Sequence, residues 1–356
     1  MIRSLSRCLP ALALVVTVAA CGDDGDSDEG AATTVPATDP APTAPAPTDA
    51  ATRAFPVTVE HALGATVIET EPVRVVTVGV TEQDTVLALG VQPVGVTDWY
   101  GDQPYATWPW AQDELGDAQP EVLTTADGLD YERITALEPD LIIGTNAGLD
   151  EESYGLLSAI APTIAHPQDA PLYFSPWDDQ ARLIGQALGR ADEMEAIIAD
   201  IDAQFAAAAS AHPEFAGVQV AFLQNAFYDG NAIAYQDGLS TDFLTDLGFA
   251  IPAVLDDFQS DGGQAYIPLE QLSVLDDADV LLWATESPDD RAALETEPLY
   301  MGLEAVQDGT LVFTDGITAG AIYFTSPLSL PFVLEQLVPA MASTIAGEGP
   351  ATIESA

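Results

Sequence analysis

The feature that most constrains this chain is a single long apolar stripe set between two stretches of alternating strands and helices. Met194, Ile197, Ile198, Ile201 and Phe205 recur at helical spacing, which predicts one amphipathic helix. From Asp192 to Ala211 such a helix spans about 30 Å, long enough to bridge two lobes. Asp192 and Glu195 read as its capping box. Before it, short β-rich runs alternate with helical segments, the pattern of an α/β fold. Val73 to Val78 reads as a buried strand, followed by a helix capped by Thr81 with Asp84 as box partner. That helix stops at Leu89-Gly90, and Pro93 to Thr97 is the next strand. Leu129 to Leu137 and Glu151 to Ile160 are helices flanking the strand Leu141 to Gly144. Ser175 caps a further helix, with Pro176 at its first position, and alternation restarts at Val218 to Leu223.

The restart carries a degenerate repeat. Leu129 to Leu137, then Asp140 to Ile143, matches Ile267 to Leu275, then Asp279 to Leu282. In each copy a Glu opens a short helix, a Leu closes it, and an Asp leads a continuous apolar strand. The segment after the first fifty or so residues, about 300 residues long, exceeds the size at which one core keeps growing. Size, repeat and bridging helix together predict two similar lobes.

The N-terminal region reads as processing and tether. Arg3 and Arg7 precede an apolar run from Leu9 to Ala20, too short for a membrane span of roughly 20 apolar residues. It leads into Val18-Ala19-Ala20-Cys21, which resembles the bacterial lipobox, in which the cysteine is lipidated. The expected organisation is a signal peptide over 1–20 and a disordered acidic, Pro-Thr-Ala tether over 21–54, too poor in apolar residues to offset its ordering entropy. An N-terminal α/β lobe over 55–176 follows, then connecting helices over 177–212, a C-terminal α/β lobe over 213–347 and a tail over 348–356. Cys8 lies within the signal, so no disulfide framework and no cysteine-based metal site are expected beyond Cys21.

Charge narrows the function. The chain has 57 acidic residues against 8 basic ones, a formal net charge of −49, and every basic residue is Arg. Nucleic-acid binding needs clustered cations and is disfavoured. The three histidines, His61, His166 and His212, are far apart, which argues against capture of a bare metal ion. There is no Walker loop, dinucleotide fingerprint, His-Glu-x-x-His or Gly-x-Ser-x-Gly elbow. Gly238-Leu239-Ser240-Thr241-Asp242 comes nearest the last, with Asp in place of the final Gly. No catalytic or metal-ligating residues are assigned, and a secreted enzyme is the remote alternative.

Residues 72–345 resemble the class of ABC-transporter binding proteins that serve ferric siderophores, haem and cobalamin. Pro72 to Gly95, Glu132 to Gly144, Trp177 to Gly189, Leu244 to Phe249 and Leu299 to Val312 read like its recurring segments, in order. The resemblance implies two Rossmann-like α/β lobes joined by a single long backbone helix, with the ligand cleft between them. It implies an extracytoplasmic, lipid-anchored monomer that captures a ligand for a permease, here an Fe(III)-siderophore complex, with no intrinsic cofactor. Haem or cobalamin is the alternative within the same fold, with Tyr100, Tyr228 or Tyr323 available as a haem ligand. Family members dock on permease arginines through one glutamate per lobe, and Glu132 and Glu270 hold the matching positions. A carboxylate in a helix's first turn is also favoured by ~0.3–1 kcal/mol through the helix dipole, and both roles can coexist.

Ligands of open α/β sheets sit where strands deliver their carboxyl ends. The candidate binding residues are Thr81, Trp99, Tyr100, Trp108, Trp110, Asn146 and Tyr173 in the first half. In the second half they are Asn225, Phe227, Tyr228, Tyr235, Trp283, Glu286, Arg291, Tyr323 and Phe324. Aromatics dominate, each offering ~150–250 Å² of contact and, for Tyr and Trp, a polar handle. A triply anionic catecholate complex would call for cleft cations, and Arg291 is the only arginine well placed. A neutral or cationic complex such as a hydroxamate fits better.

Overall fold

The structure is a computed structural model that describes residues 55–126, 128–260 and 263–355. The expected signal peptide, Cys21 and the expected tether lie outside the described residues. The chain opens with a hairpin of β1 (Val57–His61) and β2 (Gly64–Ile68), paired antiparallel. Val59, His61, Thr66 and Ile68 point inward, the alternation expected when one face of a sheet is covered. The buried His61 is used up locally: its Nε2 lies 3.0 Å from Thr66 Oγ1 and its Nδ1 accepts from Leu63 N–H.

Two sheets follow. The first contains β3 (Val75–Thr77), β4 (Gly95–Thr97), β5 (Glu121–Leu123), β6 (Leu141–Gly144) and β7 (Thr163–Ala165), all parallel, in the order β5-β4-β3-β6-β7. The second contains β8 (Val220–Tyr228), β9 (Asn231–Tyr235), β10 (Ala265–Pro268), β11 (Val280–Ala284), β12 (Leu311–Phe313) and β13 (Ala351–Thr352), in the order β10-β9-β8-β11-β12-β13. Only β9 runs against its neighbours there. β6 and β11 are buried along their whole length, as expected of central parallel strands covered on both faces.

The predicted rod is the helix Ala191–Ala211, 21 residues long, or about 31 Å. Its stripe is divided between two cores. Met194 and Ile198 pack with Val75, Leu141 and Ile143 of the first sheet, Ile201 and Phe205 with Val220, Leu281 and Phe222 of the second, and Ile197 touches both. The expected Asp192–Glu195 box is not formed. Arg190 holds the cap position without a side-chain cap, and its guanidinium instead donates to the Leu89 carbonyl and pairs with Glu193. Likewise the preceding helix, Trp177–Ala187, is capped at Pro176 rather than Ser175; the Ser175 hydroxyl donates to Pro171 O at 2.9 Å.

The repeat has a physical basis. Asp140, ahead of β6, accepts backbone N–H bonds from Val73 and Arg74 at 2.9 and 2.8 Å, at the entry to β3. Asp279, ahead of β11, accepts from Gln219 N–H at 2.8 Å, at the entry to β8. Each aspartate ties the start of its own strand to the start of its parallel neighbour. The short helices before them differ: Tyr131–Ala136 is α-helical, while Leu269–Asp277 is 3₁₀. At the other end, the segment expected to be a tail supplies β13, buries Ile353 and hydrogen-bonds Ser355 to Asp315.

Candidate functional site

In the first sheet the strand order reverses direction at β3, so the crevice beyond β3 and β6 is where a ligand would be sought. It is filled by the protein. Glu82, 3 % exposed, accepts N–H bonds from Gly79 at 3.0 Å and Asn146 at 2.6 Å, and the Thr145 hydroxyl at 3.3 Å. Burial pushes its pKa up to about 7, against the pull of those donors. Thr81 adopts a left-handed conformation, φ 66°, and makes no side-chain cap. Thr81 and Asn146, both candidates, are therefore buried around a carboxyl plug.

Two residues on, Asp84 is wholly buried and crosses between the halves. Its Oδ2 accepts from Trp110 Nε1 and from Ser326 Oγ, both at 2.7 Å. Burial raises its pKa to about 6, opposed by those two donors and reinforced by Glu114. The expected capping role of Asp84 is thus replaced by a long-range one. Ser326 in turn accepts from Ser329 N–H at the start of the helix Ser329–Ile345.

The open cavity lies one strand further over. It has a volume of about 670 Å³ and is bounded by Tyr100, Gln103 and Trp108 from the loop after β4, and by Glu286, Asp290, Asp315 and Ile317 from the carboxyl ends of β11 and β12. Behind it the aromatic side chains form a continuous cluster across both halves. Trp99 meets Tyr100 edge-on at 4.5 Å and reaches Phe324 at 5.3 Å and Tyr323 at 6.3 Å between ring centres. Trp108 lies 5.0 Å from both Tyr100 and the stacked ring of Trp110. Phe174 stacks on Phe324 at 5.2 Å and meets Tyr235 at 6.1 Å. Gly320 is needed under Trp108, because a Cβ there would stand 2.6 Å from the indole.

Phenol hydroxyls fix the wall. Tyr100 donates to Gly316 O at 3.2 Å, and Tyr323 donates to Ala284 O at 2.8 Å and reaches Glu286 Oε1 at 3.3 Å. Burial raises the pKa of Tyr100, Tyr235 and Tyr323 well above the usual phenol range, with Glu286 adding to each.

Other candidates lie apart from this cavity. Trp283 is fully buried inside β11, which extends to Ala284, and packs against Phe227 and Tyr300 at 5.8 Å each. Arg291 lies 4.4 Å over the Phe313 ring, with its guanidinium bonded to Glu295 and Thr352. Tyr228 sits at the β8–β9 turn, 68 % exposed, and Tyr173 is exposed against Gly148. Asn225 adjoins Glu286 and hydrogen-bonds to it. Glu132 and Glu270 are exposed, each in the first turn of its helix. Asp84, Ser326, Gly320, Gln103, Asp290 and Asp315 were not singled out as site residues from the sequence. Asp84 offered one signal, a charge separated by one residue from the apolar run Val86 to Leu89.

The family model for periplasmic binding proteins matches residues 75–318. The probable siderophore-binding lipoprotein YfiY of Bacillus subtilis is 30% identical over 281 residues, covering 74% of this chain and 83% of that one. A periplasmic solute binding protein from Mycobacterium smegmatis is 45% identical, with a TM-score of 0.76 over 81% of this chain and 98% of that one. Streptococcus pneumoniae PiaA in complex with ferrichrome is 26% identical, with a TM-score of 0.70 over 82% of this chain and 99% of that one. Two α/β sheets with separate cores on one shared helix, a cavity at the strand ends and a family match across both sheets lead to one conclusion: this chain belongs to the periplasmic binding protein family.

Proposed function

We propose that this protein is the extracytoplasmic substrate-binding component of an ABC importer, capturing a ferric siderophore and handing it to the permease. The observation that carries this reading is the aromatic-walled cavity of about 670 Å³ at the carboxyl ends of strands from both sheets. Its size and its mix of rings, phenols and carboxylates suit a bulky ligand with apolar arms and a polar centre. The relatives named for siderophore binding and for a ferrichrome complex support the same choice. The N-terminal lobe is 55–176 and the C-terminal lobe runs from 213 through β13, joined by 177–212, and the membrane attachment is a lipid on Cys21. The protein acts as a monomer, with Glu132 and Glu270 as the permease contacts; their exposure in helix first turns supports that role.

A neutral or cationic, hydroxamate-like complex is favoured over a catecholate. Among the described residues no arginine lines the cavity, while Glu286, Asp290 and Asp315 do, so a trianionic complex would enter against like charge. Haem is disfavoured by the phenols it would need. Tyr100 and Tyr323 donate to protein acceptors and resist ionisation, and Tyr228 is remote. The test is titration of the protein's tryptophan fluorescence with ferric hydroxamates, ferric catecholates, haem and cobalamin. Saturable quenching by a ferric hydroxamate is expected; a response confined to haem or cobalamin would overturn the siderophore reading, and preference for catecholates would overturn the ligand class.

A further inference from the structure

The three carboxylates on the cavity wall are not equivalent. Asp290 Oδ2 accepts from Glu286 N–H at 3.0 Å, Ser287 N–H at 2.7 Å and the Ser287 hydroxyl at 2.8 Å, closing the start of the helix Pro288–Glu295. Asp315 accepts from Thr318 N–H at 2.8 Å, Ser355 N–H at 2.5 Å and the Ser355 hydroxyl at 2.9 Å, closing the start of the helix Gly316–Tyr323. Both therefore face helix N-termini, which favour negative charge. Glu286 has no such compensation. Its neighbours are the Tyr323 hydroxyl, whose proton goes to the Ala284 carbonyl, and the Asn225 amide, both neutral, and burial and Asp290 both push its pKa up.

No cation within the described chain stands in for one. Arg74 donates to the Leu137 and Glu138 carbonyls, Arg133 pairs with Glu121, and Arg182 with Asp178, Asp179 and Glu195. Arg190 and Arg291 are engaged as described above. A half-buried carboxylate facing an open cavity without a cation is a standing electrostatic cost, and a ligand can relieve it. Tyr100 also lines the cavity, and an aromatic ring face attracts cations as well.

We propose that Glu286 is the specificity-determining residue of the cavity, and that the ligand it selects is a ferric complex bearing a protonated amine. This deepens the siderophore reading and rests on it. The ammonium group lies between the Glu286 carboxylate and the aromatic wall, while the iron-bearing part of the ligand spreads over the remaining rings. A charge-assisted hydrogen bond of ordinary strength corresponds to about tenfold or more in affinity.

The test uses the full chain, two probes and two variants. The probes are a linear ferric trihydroxamate with a free primary amine and the same complex N-acetylated, which differ in charge but hardly in size. The unmodified protein is expected to bind the amine complex about tenfold more tightly, with the preference shrinking as salt is raised. Glu286→Gln should abolish the preference, lowering the amine complex's affinity about tenfold relative to the acetylated probe's. Glu286→Asp, which keeps the charge, should restore part of it and guards against a folding defect in the glutamine variant. Equal binding of both probes by the unmodified protein, or an equal loss for both in Glu286→Gln, overturns this inference and leaves the siderophore reading standing. Failure of either probe to bind, with quenching by haem or cobalamin instead, overturns both.

Discussion

Replacing Asp84 by Asn tests whether a buried carboxylate joins the two halves at the cost of stability near neutral pH. Asp84 is fully buried, and its pKa lies at about 6 against an ordinary 3.8. The folded protein therefore holds that proton more tightly than the unfolded chain. Above pH 7 the folded state carries a charge it resists, at a cost of about 3 kcal/mol. As pH falls, the folded carboxyl is protonated first, around pH 6, and the cost declines until the unfolded carboxyl also takes its proton near pH 4. Roughly half of the cost is gone by pH 5, about 1.5 kcal/mol. In Asp84→Asn this group no longer titrates, yet the side-chain oxygen can still accept from Trp110 and Ser326. Urea unfolding of both proteins at pH 7.5, 6 and 5 isolates the effect, because every other carboxyl is common to both. Relative to the variant, the native protein should gain about 1.5 kcal/mol between pH 7.5 and 5. A difference independent of pH would refute the argument and mean that Asp84 titrates in the folded state as it does in water.

Three further outcomes are expected. Gly320→Ala puts a methyl group 2.6 Å from the Trp108 ring; overpacking of this kind costs about 1–3 kcal/mol and should weaken ligand binding by tilting the wall, measured by thermal unfolding and by titration. Phe205→Ala removes a buried ring from the shared helix and should cost about 3–5 kcal/mol, read as a lower urea midpoint. Glu132→Arg and Glu270→Arg, alone or together, should leave stability within about 0.5 kcal/mol and ligand affinity unchanged while reducing transport into cells or vesicles carrying the permease; unchanged transport by the double variant would remove the docking role.

How much of this was legible in the sequence depended on the range of the deciding contacts. The stripe from Met194 to Phe205 could be read because helical periodicity is local, and the division of its contacts between two cores follows from its length. Asp140 and Asp279 could be matched as a repeat for the same reason, although their task, fastening the starts of neighbouring strands, required the sheets. Asp84 reads in the sequence as an ordinary helix-start acid. A carboxylate at a helix start looks the same in sequence whether it caps that helix or reaches Asn146 and Ser326, 64 and 242 residues away. Trp283 stands in the unbroken apolar run from Val280 to Ala284, which marks a strand buried on both faces; that signal argued for core over pocket. Ala351-Thr352 is too short to register as a strand at all.

The contacts that hold the halves together and the surfaces that would meet a ligand use the same residues. Trp110 stacks on Trp108, a wall of the cavity, while its indole nitrogen is held by Asp84, which also holds Ser326. Trp108 rests on Gly320, within the helix that begins behind Asp315. Tyr100 lines the cavity and donates across to Gly316. Any rotation of one half against the other must therefore move the cavity wall, and the shared helix limits how large that rotation can be. Interior packing has discrete arrangements rather than a continuous range, so the cavity keeps its shape only while these crossing contacts hold. A change in affinity from any of these positions thus has to be read beside the stability of the same variant.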